Sequence, residues 1–192
     1  NSIDEGYLDL KSCGFRDAIE VETAVRGLQR RLQEELRLPV SFGLATNKLV
    51  AQIASKLRKP RGFVVVPPGE EETFLAPLSI GKLPGIGAKT EAMLVAQGVV
   101  HVRDILTRTP EDLRVLFGQD WRGMVERARG IDERPVETER EDAKSYSQQE
   151  TFGRDISDFS EIERVAKRMI DELLPKIRQD RKRVRTLTVK VR

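Results

Sequence analysis

At 192 residues the chain is long enough for one ordinary domain or two small ones, and 39% hydrophobic against 34% charged residues can build a core, which excludes wholesale disorder. Lys and Arg (34) nearly balance Asp and Glu (31), leaving +3, and no apolar run approaches the ~20 residues of a membrane span or follows a basic leader. The lone Cys13 excludes an internal disulfide or zinc cluster and suits a reducing cytoplasm, and the lone His101 excludes chemistry built on His pairs, so any transfer chemistry rests on carboxylates, lysines and a metal.

Residues 1–10 alternate apolar and polar positions at Ile3, Tyr7 and Leu8, which reads as a strand or hairpin entered mid-fold. From Asp17 to Arg37 the residues Val21, Val25, Leu28, Leu32 and Leu36 recur every three or four positions and predict an amphipathic helix. Pro39 introduces a strand, Val40 to Leu44. Asn47 then caps a helix reaching about Leu57, with Leu49, Val50, Ile53, Ala54 and Leu57 inward. Lys59-Pro60-Arg61-Gly62 stops it, and Phe63 to Val66 reads as a buried strand. This β-α-β-α-β order predicts a sheet with helices packed on it.

Past Pro68, short helices punctuated by Gly and Pro predict a small helical domain to about residue 133, with Trp121, His101 and the phenylalanines in cores. Residues 134–142 are charged and aperiodic, as in an exposed linker. A strand (Ser145 to Phe152), a helix (Phe159 to Arg178) and a strand (Val184 to Arg192) form the opening half of an α+β unit. The abrupt start and the unpartnered last strand read as a piece of a longer protein.

Four stretches carry candidate chemistry. Asp4-Glu5 offers two hard carboxylates suited to Mg²⁺ if a bend lets both reach one site, although alone the pair reads as a solvated acidic turn. Lys59, with Lys56 and Arg58 nearby, suits a triphosphate or simply a basic helix end. In Leu83-Pro84-Gly85-Ile86-Gly87-Ala88-Lys89-Thr90, two glycines allow a tight turn between helices and bring bare N–H groups near a partner, ahead of a helix from Ala88 to Gln97 closed by Gly98. This resembles a helix-hairpin-helix, which grips nucleic-acid phosphates without reading bases; a plain turn between helices is the alternative. From Pro175 onward eight cations, Arg181, Lys182, Arg183 and Arg185 among them, face the single carboxylate of Asp180. The rest of the chain is therefore net acidic, and the tail has the footprint of phosphate-backbone binding or of a solvated basic face.

In this order the pieces resemble a Y-family, lesion-bypass DNA polymerase of the DNA polymerase IV branch. Ser2-Ile3-Asp4-Glu5-Gly6-Tyr7-Leu8-Asp9 is similar to the family's SIDEAYLD palm motif, Gly43 to Lys48 to its GISxNK segment, Ile53-Ala54-Ser55 with Lys59 to Gly62 to IASxxxKPxG, and Leu83 to Thr90 to the thumb's LPGIGxKT. Gly6 replaces the usual alanine, and Lys56 replaces a common acidic residue. The resemblance implies an α+β multidomain chain: the C-terminal half of a ferredoxin-like palm (1–67), an all-α helix-hairpin-helix thumb (68–133), a linker (134–143) and the first half of a little finger (144–192).

It further implies catalytic, metal-ligating Asp4 and Glu5 in a two-metal Mg²⁺ site, Lys59 on the incoming deoxynucleoside triphosphate, and primer–template DNA on Gly85, Ile86, Gly87, Lys89, Arg181, Lys182, Arg183 and Arg185. Two-metal phosphoryl transfer needs charge neutralisation and in-line positioning more than a His base, in keeping with the composition. A first palm strand with its aspartate and the fingers are expected outside this chain, leaving it inactive alone. A sliding clamp would bind beyond Arg192, and the parent would be cytoplasmic and nucleoid-associated. The competing expectation is a non-catalytic, polymerase-like accessory protein that binds DNA; such a protein is expected to lose the metal carboxylates, which stand intact here. An unrelated helix-hairpin-helix protein leaves the palm segments unexplained.

Overall fold

In the computed structural model, which describes residues 4–137 and 143–191, the chain forms two compact units, Asn1–Glu137 and Thr138–Arg192. In the first, the Asp17 carboxylate accepts the Glu20 N–H at 2.8 Å and opens α1 (Ala18–Leu36). β1 (Phe42–Leu44), α2 (Lys48–Leu57) and β2 (Phe63–Val65) follow. The strands pair in parallel, Phe42 opposite Phe63 and Leu44 opposite Val65, so α2 is the crossover. Asn47 accepts the Val50 N–H at 3.0 Å, and α2 buries Leu49, Val50, Ile53 and Ala54. Gly43 permits that packing, because a Cβ there would collide with the Ala51 carbonyl and the Ala54 methyl.

The strand expected over residues 1–10 is absent from residues 4–10, where no described residue lies alongside to complete a ladder. Among the described residues the sheet has two strands. Ile3, residues 138–142 of the expected linker and Arg192 lie outside the described residues.

The rest of the unit holds α3 (Glu71–Leu75), α4 (Ala88–Ala96), α5 (Arg103–Leu106), α6 (Pro110–Phe117) and α7 (Trp121–Ala128). His101 serves through its backbone: Ser79 and His101 form an antiparallel bridge, with the Ile80 N–H on the Val100 carbonyl and the Val102 N–H on the Leu78 carbonyl, both at 2.9 Å. One apolar cluster runs from α2 through Val66 to Leu75, Ile80, Leu83, Leu94 and Ile105, so the boundary expected near residue 67 falls inside a shared core. Each such Leu or Ile contributes about 1.5–3 kcal/mol when fully buried. Trp121 lies at its rim, with the Arg114 and Arg122 guanidiniums 5.3 and 5.2 Å from its ring centroid. Phe152 and Phe159 are exposed rather than core residues.

The second unit is built on α8 (Phe159–Gln179), capped by Asp158, whose carboxylate accepts the Ser160 N–H at 2.9 Å; no residue of α8 is buried. The strands expected over 145–152 and 184–192 form no ladder among the described residues. Instead the first segment lays alternate side chains on α8: Tyr146 donates to Asp180, Gln148 to Glu172, and Glu150 pairs with Arg168. The period of two survives, but the partner is a helix, so backbone pairing is missing.

Candidate active site and nucleic-acid interface

Asp4 and Glu5 lie on an exposed bend at the start of the described chain, beside the polar face of α2. Leu49 and Ile53 turn into the core, while Gln52 and Lys56, one helical turn apart, turn outward. Both reach Glu5: the Lys56 ammonium pairs with Oε1 at 3.2 Å and the Gln52 amide donates to Oε2 at 3.3 Å. The Lys56 hydrogen bond, then that of Gln52, holds the Glu5 carboxyl below its usual range, so it is an anion near neutral pH. Two adjacent carboxylates fit Mg²⁺ as a partial donor set, since that ion takes one or two carboxylates with water and substrate phosphates. Among the described residues no third Asp, Glu, His or Cys joins them.

Tyr7 follows Glu5 by two residues, and the Lys48 ammonium stands 5.4 Å from its ring centroid. Partial burial, then the Glu5 charge, pushes its phenol above the usual value. Lys59 lies past the end of α2, exposed, with a cis bond to Pro60; Arg61 follows at φ 60°. Lys59 stands three residues past Lys56 along the chain, beyond the last turn of α2. Gln52, Tyr7 and Lys48 are the site residues that sequence reasoning passed over. The available signal was the i, i+4 spacing of Gln52 and Lys56 opposite the apolar stripe of α2.

The hairpin divides its two glycines by role. Gly85 sits at φ 95°, where a Cβ is strained, whereas Gly87 is the extended N-cap of α4 and a Cβ there would meet nothing. No side chain caps α4, so the N–H groups of its first turn face outward beside the exposed Lys89. The Ile86 side chain is buried and its N–H donates to the Leu83 carbonyl at 3.2 Å, so the side chain anchors the turn. In the second unit, Arg181 (φ 53°) and Lys182 close α8 by donating backbone N–H groups to Arg178 and Ile177. Arg183 and Arg185 follow on exposed chain.

Three family models match in the order the geometry presents: the impB/mucB/samB family over residues 1–56, the IMS family HHH motif over 68–98, and the impB/mucB/samB family C-terminal domain over 143–192. The chain belongs to this family, that of the Y-family, DinB-like polymerases. It is 67% identical to a DNA polymerase IV of Opitutus terrae over 193 residues, covering all of this chain and 49% of that protein. To a DNA polymerase IV of Xanthomonas oryzae pv. oryzae it is 40% identical over 158 residues, 81% of this chain and 43% of that one. DinB from Sulfolobus solfataricus superposes with a TM-score of 0.62 at 28% identity over 68% of this chain and 38% of the other. A post-insertion binary complex of Dbh DNA polymerase gives 0.63 at 25% identity over 86% and 48%. The chain spans about half the length of the curated relatives it matches.

Proposed function

We propose that this chain is part of a template-directed translesion DNA polymerase, which joins deoxynucleotides to a primer terminus and releases pyrophosphate. The observation that carries the reading is the acidic pair docked on α2 through Lys56 and Gln52, in a chain whose matches to one polymerase family run in a single order. In this reading residues 1–67 belong to the palm, 68–133 to the thumb, 134–143 to a linker and 144–192 to the little finger.

Asp4 and Glu5 would hold Mg²⁺, which when bound supplies charge neutralisation at the transferring phosphoryl group. The chain's own residues do the rest. Lys56 and Gln52 orient Glu5 as an anion. Lys59 gives a point charge to the triphosphate. Gly87 and the open first turn of α4 with Lys89 receive a DNA phosphate, with Gly85 shaping the turn. Arg181, Lys182, Arg183 and Arg185 add sequence-independent contacts to the backbone. A sliding clamp as partner and a cytoplasmic, nucleoid-associated location belong to the same reading.

The test is primer extension with the product of the full open reading frame that encodes this chain. It should extend primers with Mg²⁺ and lose that activity on Asp4→Ala. Lys59→Ala should weaken nucleotide use by roughly 1.5–3 kcal/mol, typical of a charge-assisted contact, with DNA affinity little changed. Full activity in the Asp4→Ala protein would remove Asp4 from the mechanism.

A further inference from the structure

Residues 130–135 leave α7 and run back over the N-terminus of α2, held to it at three points and braced by one fork within the strap. The Asn47 amide donates to the Gly130 carbonyl at 2.7 Å, and Asp132 Oδ2 accepts the Leu49 N–H at 3.0 Å. Asp132 also takes the Arg134 guanidinium in a fork, at 2.7 Å from Nε and 3.0 Å from a terminal nitrogen. The Lys48 ammonium donates to the Pro135 carbonyl at 3.0 Å. The Asp132 side chain is only 6% exposed, the most enclosed carboxylate among the ion pairs of the described residues. Lys48, which holds the Pro135 carbonyl, also stands over the Tyr7 ring, 5.4 Å from its centroid. Tyr7 is two residues from Glu5.

We propose that Asp132 is a positioning residue: it locks the 130–135 strap onto the N-terminus of α2, and the strap, through Pro135 and Lys48, holds Tyr7 and with it the segment carrying Asp4 and Glu5. A helix N-terminus satisfied by a remote, enclosed carboxylate is a fixed point. The fork on Arg134 sets the course of the strap to Pro135, where Lys48 joins it to Tyr7. The exit from the helical segment and the acidic bend are thereby registered against the same helix, α2, though more than 120 residues separate them.

The test uses the 192-residue chain with ring-¹³C tyrosine, whose two ring signals belong to Tyr7 and Tyr146, assigned with Tyr7→Phe. Asp132→Ala should speed exchange of the Leu49 amide at least tenfold. It should also move the Tyr7 signal at least halfway to its position in the urea-unfolded chain, leaving Tyr146 in place. Asp132→Asn keeps an acceptor for the Leu49 N–H but no charge for Arg134. It should move Tyr7 in the same direction by less, and it decides the matter if the alanine variant does not fold. A Tyr7 signal unmoved in the folded variants would reduce Asp132 to a helix cap and overturn the proposal. Its consequence for catalysis rests on the reading of Asp4 and Glu5 above: in the full polymerase, Asp132→Asn should lower kcat about tenfold with little change in KM. A shifted Tyr7 signal with unaltered kcat would uphold the latch and count against that catalytic reading.

Discussion

Asp132 shows how much one carboxylate can organise when its acceptor sites are all taken. Its hydrogen bonds from Arg134, first the side chain and then the backbone, hold its carboxyl below the usual aspartate range. A group whose folded pKa is depressed stabilises the fold above its unfolded pKa, and that stabilisation disappears as pH falls through the folded value. The urea stability of the wild-type chain should therefore exceed that of Asp132→Asn by about 1.5–3 kcal/mol near neutral pH. The gap should hold down to the ordinary aspartate range and close below it. Comparing the two proteins at each pH removes the titration of the other depressed carboxylates, Glu5, Glu35, Glu71 and Asp104. A gap independent of pH would mean that Asp132 acts by shape rather than by charge.

At the scale of elements, the turn before α4 separates a glycine needed by the fold from one that the fold does not need. Gly85→Val forces a β-branched side chain to φ 95° and should cost roughly 1–3 kcal/mol, seen as a lower melting temperature by circular dichroism. Gly87→Val meets no neighbour and loses only part of an N-cap preference, under about 1 kcal/mol. Its branched side chain would nonetheless stand in front of the open first turn of α4. Fluorescence anisotropy on a primer–template duplex should then show weakened binding by a protein that still melts cooperatively. Undiminished affinity would leave the hairpin as a structural turn alone.

Over the whole molecule the two units differ in what supports them. The first has a continuous apolar core, whereas α8 of the second buries no residue and ends in a cation-rich segment. DNA binding by the chain should fall steeply with salt, because each neutralised phosphate releases counterions. Replacing Arg181, Lys182 and Arg183 with glutamine should flatten the log–log slope by up to about 0.9 for each contact made, while Gly87→Val should leave the slope unchanged because it removes no charge. Equal slopes in the wild-type and triple-glutamine proteins would take the tail out of the DNA interface.

Local chemistry was legible in the sequence wherever neighbours along the chain decide it. Asp17, Asn47 and Asp158 cap their helices because each carboxylate or amide reaches an N–H two or three residues on, and the apolar spacing of α2 marks its buried face. The hairpin, the acidic pair and the family resemblance were visible for the same reason: each is a short motif. The parallel strands at Phe42–Leu44 and Phe63–Val65 fall within the segments read as strands, but the other alternating segments form no ladder, because alternation states only which side chains share a face. Residues 145–152 keep the alternation and spend it on α8, and residues 4–10 have no ladder partner among the described residues. Burial of Ile86, the grip of Lys56 and Gln52 on Glu5, and the strap on α2 were decided by tertiary structure alone. Each depends on groups that only packing brings together, and nothing in the sequence marks Asp132, near the end of the helical stretch, until α2 offers it an unsatisfied N–H.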